Sequence, residues 1–182
     1  MRYFSSSFRA WHWMQAILMF GMFITVVLRT TVMHKEQIGG IVQSKLAEIG
    51  TVITDEQAVA IGKAVRSPMW DWHIYMGIAL GLLLVWRIVM VAKNGFGFDA
   101  DPAMQKVYAL YKLFYAVLAA MVLSGLALYW KLAGNAKEGI ETVHMVMGWS
   151  LFAFMAIHIV GVVLAEKRAM KGLVSRLISG RE

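Results

Sequence analysis

Four stretches of the chain carry almost no polar residue, and each is long enough to cross a hydrocarbon layer of about 30 Å, which takes about 20 helical residues. They cover about residues 10–28, 72–92, 113–130 and 143–165. Within them apolar residues run on without the strict alternation of a barrel strand. Backbone polar groups in lipid must be satisfied inside the segment, so the four are read as helices. The expected fold is therefore all-α: an integral membrane four-helix bundle forming one domain over residues 1–182. The stretch at 30–67 is the sizeable extramembrane piece. Thr54 and Gln57 have the spacing of a helix start there, and Ile53, Val59, Ile61 and Val65 give a partly amphipathic face. One or two short helices are expected, broken at Gly39-Gly40 and Gly50. Pro68 and Pro102 fall just outside the spans. The interfacial tail at 167–182 reads as a helix over 167–178, with basic residues towards the head groups.

Composition narrows this further. Of 182 residues, 59% are hydrophobic and 16% charged, and the mean hydropathy is +0.61. A soluble globule of this size cannot hide that much apolar surface. The absence of cysteine removes disulfides, thiolate zinc sites, iron–sulfur clusters and thiol catalysis. The first span lacks an A-x-A-like cleavage site and reads as retained rather than as a signal peptide.

Charge gives the expected orientation. The N-terminus, the loop after the second span and the tail together hold eleven Lys and Arg, against seven on the other side. Acidic residues divide four to seven, so the whole net charge of +7 falls on the first side. By the positive-inside rule both termini are cytoplasmic and 30–67 is external. The basic balance then reflects topology and anionic lipid, and no nucleic acid is expected as a partner.

Histidines supply the candidate chemistry. His12 lies near the inner end of span one. His73 and His144 lie near the outer ends of spans two and four. His158 follows His144 by fourteen residues, about 21 Å deeper and within roughly 40° of the same face. The four thus sort by depth into an outer pair, His73 with His144, and an inner pair, His12 with His158. A lone histidine in a membrane can simply hydrogen-bond a neighbouring helix. Two pairs on different helices are what two b-type haems with bis-histidine ligation require. Gly77, Gly148 and Gly161 sit one turn from ligand candidates and make room for a wide, flat group. Arg9, one turn from His12, and Arg87, fourteen residues beyond His73, are candidate partners for inner haem propionates; both also fit as positive-inside anchors. His34 reads as a solvated loop residue, the tryptophans mostly as an interfacial belt, and the methionines as apolar filler. Asp71 and Glu141 read as ordinary loop acids, or as the lining of a donor or proton entry.

Several runs carry a resemblance. Arg9-Ala-Trp-His12-Trp opens span one. Trp72-His73-Ile-Tyr-Met-Gly77 opens span two, and Trp86-Arg87 closes it. His144-Met-Val-Met-Gly148 and Ala156-Ile-His158 share span four. Together they resemble the prokaryotic cytochrome b561 family, related to the cytochrome b subunits of nickel–iron hydrogenases, over nearly the whole chain. The segment between spans one and two is longer than the family leads one to expect. The resemblance implies two b haems held by His12, His73, His144 and His158 in a bacterial inner membrane. It also implies electron transfer between a periplasmic-side donor or oxidant and quinone, with superoxide:quinone oxidoreduction as one activity of the family. A membrane anchor and electron conduit for a periplasmic redox protein is the alternative. A divalent-metal transporter using the histidines as a relay is a third reading, which carboxylates deep in the spans would favour; there are none.

Overall fold

The structure is a computed structural model that describes residues 4–95, 105–168 and 170–180, without the side chains of Asn94 and Lys106. Arg2, Pro102 and Arg181, which enter the sequence reading, lie outside the described residues, as does the side chain of Lys106. The elements run α1 (Ser6–Thr30), α2 (Lys35–Glu48), α3 (Asp55–Asn94), α4 (Gln105–Tyr129), a 3-10 turn (Gly134–Ala136), α5 (Lys137–Arg168) and α6 (Leu173–Ser179). No strand occurs among the described residues. Helices α1, α3, α4 and α5 are long and apolar enough to cross a membrane. Their outward residues are apolar too: Ile17, Phe20, Leu82, Leu123 and Ile157 are all more than half exposed, as expected where the solvent is lipid.

Local chemistry explains where the helices begin and end. Ser5 caps α1 by accepting the Phe8 amide at 3.2 Å. A reciprocal capping box starts α3: the Gln57 amide donates to the Thr54 hydroxyl at 3.2 Å, and the Thr54 amide donates to Gln57 Oε1 at 2.9 Å. Helix α2 stops at Gly50, whose φ of +80° suits glycine. At the end of α4 a lysine takes the left-handed place: Lys131 has φ +58°, and the Leu132 amide reaches back to the Ala127 carbonyl at 2.9 Å.

The chain divides into two compact units, Leu18–Gly77 and the combination of Met1–Ile17 with Ile78–Glu182. In the first unit α2 packs on the N-terminal part of α3 through small residues. A Cβ on Gly39 would stand 2.5 Å from the Ala58 carbonyl oxygen, and one on Gly62 would collide with the Lys35 carbonyl. In the second unit α4 and α5 are neighbours. Leu118 of α4 and Leu151 of α5 are buried there, with Trp11, Leu80, Leu83 and Leu84. The Trp11 indole donates to the Leu83 carbonyl at 2.8 Å, tying α1 to α3.

Three expectations need correcting. Gly39-Gly40 does not break a helix; both residues lie inside α2, and Gly39 is there to let two backbones approach. The external segment and span two are not separate helices, because α3 runs unbroken through Pro68. Proline cannot donate to the Ala64 carbonyl one turn back, but the Ser67 hydroxyl does so instead, at 3.0 Å. The buried face of this stretch is Ala58, Gly62 and Met69, while Val65 is exposed. Nor is 167–178 one helix of its own. Helix α5 continues to Arg168, and α6 follows a turn at Gly172 with φ +78°. Glu166 accepts the Gly172 and Val174 amides at 2.7 and 2.9 Å, and the Trp13 indole reaches the Leu177 carbonyl at 3.4 Å.

The Gly39–Gly62 approach gives a direct test. Gly62→Leu should force α2 away from α3 at a cost of about 1–3 kcal/mol. Amide hydrogen exchange in α2 should speed up while exchange in α4 and α5 stays unchanged.

Candidate functional site

The unit of Met1–Ile17 and Ile78–Glu182 brings two of the four histidines together. His12 of α1 and His158 of α5 face each other with ring centres 6.1 Å apart and planes at 59°. Aromatic rings line the pair. Phe8 stacks beside His12 at 6.1 Å, Phe154 lies nearly parallel to His158 at 6.1 Å, and Tyr111 stands edge-on to it at 6.0 Å. The Tyr111 hydroxyl is 3.2 Å from His158 Nδ1. His144 is held in the same unit by α4: its Nδ1 lies 2.8 Å from Ser124 Oγ. Gly125 leaves just enough room for the ring, since a Cβ there would approach His144 Cε1 to 3.2 Å.

His73 belongs to the other unit. Its Nδ1 lies 2.9 Å from Thr25 Oγ1, and its ring stacks on Trp70 at 4.9 Å and 23°. His34 is exposed and pairs with Glu36 at 2.8 Å, in keeping with a solvated loop residue.

The hydroxyl contacts fix the tautomers. Ser124 already donates its proton to the Met121 carbonyl at 3.0 Å, and Thr25 donates its own to the Met22 carbonyl at 2.7 Å. Each oxygen can therefore only accept from the imidazole, so Nδ1 carries the hydrogen in His144 and in His73. Nε2 is then the unprotonated nitrogen of both rings, the one able to ligate a metal. This is the arrangement metal-ligating histidines show, with the second nitrogen donating to a fixed acceptor.

The two arginines singled out by sequence differ in setting. Arg9 is half-buried and lies against Gly180, with a 3.4 Å contact from Nη2 to Ser6. Arg87 is only 6% exposed, so it does not snorkel to water as an anchor would. Its guanidinium sits over Phe8, Trp11 and Tyr115 at 5.2, 5.3 and 5.8 Å, and Nε donates to the Tyr115 hydroxyl at 3.2 Å. Among the described residues, rings rather than carboxylates hold this cation.

Sequence reasoning passed over four residues here. Thr25, Ser124 and Tyr111 touch histidines, and Gln15 is 5% exposed with both amide atoms buried and unpartnered. The available signal was simple: Gln15, Thr25 and Ser124 are polar positions inside otherwise apolar spans, where an unmet polar group is costly.

The profile of the family described as prokaryotic cytochrome b561 matches residues 3–180. This chain belongs to that family. No match was found among curated proteins or among solved structures. Family membership makes the chain a bacterial membrane protein that binds haem b and transfers electrons. The residues present fit such a group. Two imidazoles bonded to one metal at about 2 Å have ring centres about 6 Å apart, which is the spacing of His12 and His158. The orphaned Gln15 amide, one turn along α1 from His12, is a buried polar group waiting for a partner.

Arg87 provides a test of the aromatic cage. Arg87→Lys should lower stability by about 1–2 kcal/mol, because a compact ammonium cannot stack on three rings. Arg87→Met should cost less, since it leaves no buried charge without a partner. Thermal unfolding of the detergent-solubilised protein would read both.

Proposed function

We propose that the chain is a two-haem electron carrier of the bacterial inner membrane, working between a periplasmic-side donor or oxidant and the quinone pool. His12 and His158 hold the inner haem, and His73 and His144 the outer one. All four spans form a single membrane domain with both termini in the cytoplasm. The observation that carries this reading is the facing of His12 and His158 across 6.1 Å in an aromatic lining, within a chain of the cytochrome b561 family. The outer pair rests on matched depth in the sequence, and on the Nδ1 contacts by which Thr25 and Ser124 orient each ring.

Bound iron supplies a one-electron couple. The chain's own residues do the rest. His12, His73, His144 and His158 offer imidazole nitrogens. Thr25, Ser124 and Tyr111 hold three of these rings by Nδ1, which fixes their orientation and, where the hydroxyl accepts, makes the imidazole more electron-donating. The apolar spans exclude water. Arg87 places a permanent positive charge beside the inner pair, suited to propionates and favouring the reduced state there; Arg9 is the second cation for the same groups. No acid, base or nucleophile is needed. Superoxide is the small oxidisable species that suits an outward-facing entry, with quinone as acceptor.

A conduit for a periplasmic redox protein is the second reading, favoured by the external α2 and the exposed start of α3. A partner co-purifying with the chain in stoichiometric amount would support it over the standalone carrier. Metal transport is disfavoured because no carboxylate lies deep in any span.

Two measurements follow. Pyridine haemochrome assay should give two haems per chain in the wild type. His12→Ala or His158→Ala should remove mainly one, and His73→Ala or His144→Ala mainly the other. Redox titration of Ser124→Ala and Thr25→Val should show the outer haem shifted upward by about 20–60 mV, the worth of roughly one hydrogen bond, while the inner haem keeps its potential.

A further inference from the structure

Of the four histidines proposed as ligands, three have a hydroxyl at Nδ1: Thr25 for His73, Ser124 for His144 and Tyr111 for His158. His12 differs. Its ring is flanked by those of Phe8, Trp13 and His158, and among the described residues no hydrogen bond reaches its nitrogens. The converse case stands one turn further along α1. Gln15 is 5% exposed, and both its amide oxygen and its amide nitrogen are buried without a hydrogen bond. The core of this unit has little to offer an amide: Leu80, Leu83, Leu84 and Leu118 are apolar, and the Trp11 indole already donates to the Leu83 carbonyl. Burying both ends of an amide unpaired is costly, above all within a membrane span. Residues three apart on a helix are neighbours on its surface, and a long helical side chain leans back over the preceding turn. For Gln15 that turn carries His12.

We propose that Gln15 is the positioning residue of His12: in the haem-loaded protein its Oε1 accepts the Nδ1 hydrogen of the ring and leaves Nε2 for the iron. The proposal rests on the reading of His12 as a ligand of the inner haem. A neutral imidazole that ligates through Nε2 carries its hydrogen on Nδ1, and that hydrogen needs an acceptor which apolar neighbours cannot supply. An amide oxygen accepts and cannot donate back, so Gln15 fixes the tautomer of its ring as Thr25 and Ser124 fix theirs. Drawing the Nδ1 hydrogen outward also makes the imidazole more electron-donating, which favours oxidised iron. Gln15 therefore works against Arg87 at the same level, where the permanent positive charge favours the reduced state.

The test uses the haem-loaded, detergent-solubilised protein with carbon-13 at its glutamine side-chain carbonyls. Infrared difference spectra are taken through a redox titration, and the Gln15 band is assigned by its loss in Gln15→Met, a substitution of similar shape. This band should fall in frequency on oxidation, because the imidazole of an oxidised centre is more acidic and its hydrogen bond tighter. It should titrate with the haem that His158→Ala removes. Optical titration gives the second readout. At a fixed ambient potential Gln15→Met should raise the reduced-to-oxidised ratio of the inner haem about threefold to tenfold, the worth of one hydrogen bond, and leave that of the outer haem unchanged. Gln15→Glu keeps an acceptor of the same reach and should return the ratio to the wild-type value or below it.

A Gln15 band that holds its frequency through the titration, or that follows the outer haem, would give the amide another partner and overturn the proposal. An unchanged inner ratio in Gln15→Met would do the same. If Gln15→Met loses the inner haem, Gln15→Glu assigns the band in its place, and a raised ratio in that variant would count against the acceptor role. Retention of both haems by His12→Ala would refute the ligand assignment and the proposal with it. Loss of one haem in His12→Ala, with Gln15→Met silent in both readouts, would refute the role of Gln15 alone.

Discussion

An imidazole inside a membrane must satisfy two nitrogens where there is no water to help. In this chain the first nitrogen is met by a hydroxyl whose own proton is already spoken for. Ser124 and Thr25 each donate to the carbonyl three residues back and accept from a histidine. That single constraint leaves Nε2 unprotonated and pointing away from its anchor. The rest of the site builds on it: a ring oriented by one fixed hydrogen bond at Nδ1 and unprotonated at Nε2 has the form of a metal-ligating histidine.

The same economy governs the inner level. His158 has Tyr111 at its Nδ1, while ring contacts from Phe8 and Trp13 flank His12. The permanent charge nearby, Arg87, is housed, among the described residues, by the faces of three rings rather than by a carboxylate. An acidic partner would cancel the field of the arginine. Aromatic faces keep the cation desolvated at modest cost and leave its charge to act on whatever sits at the histidine pair.

Much of this was legible in the sequence, because lipid imposes a strong rule on it. Twenty apolar residues in a row admit few structures, and histidines within such runs stand out, so the four spans and the meeting of His12 with His158 could be anticipated. The Thr54–Gln57 start was equally readable, since a capping box is a local signal. What escaped depended on contacts distant in sequence. Pro68 looked like a boundary because the Ser67 hydroxyl that repairs the helix is one serine among many. Gly39 looked like a break because its role is set by Ala58 on another helix. The Thr25, Ser124 and Trp70 contacts arise from how α1 meets α3 and how α4 meets α5, which no periodicity reports.

The central claim is that imidazole pairs, presented through Nε2, hold the iron. An anomalous-scattering map of haem-loaded crystals at the iron edge tests it most directly. The account predicts two iron peaks per chain, one flanked by the Nε2 atoms of His12 and His158 and one by those of His73 and His144. An iron peak away from these nitrogens, or bound through a methionine in place of one of them, would contradict it.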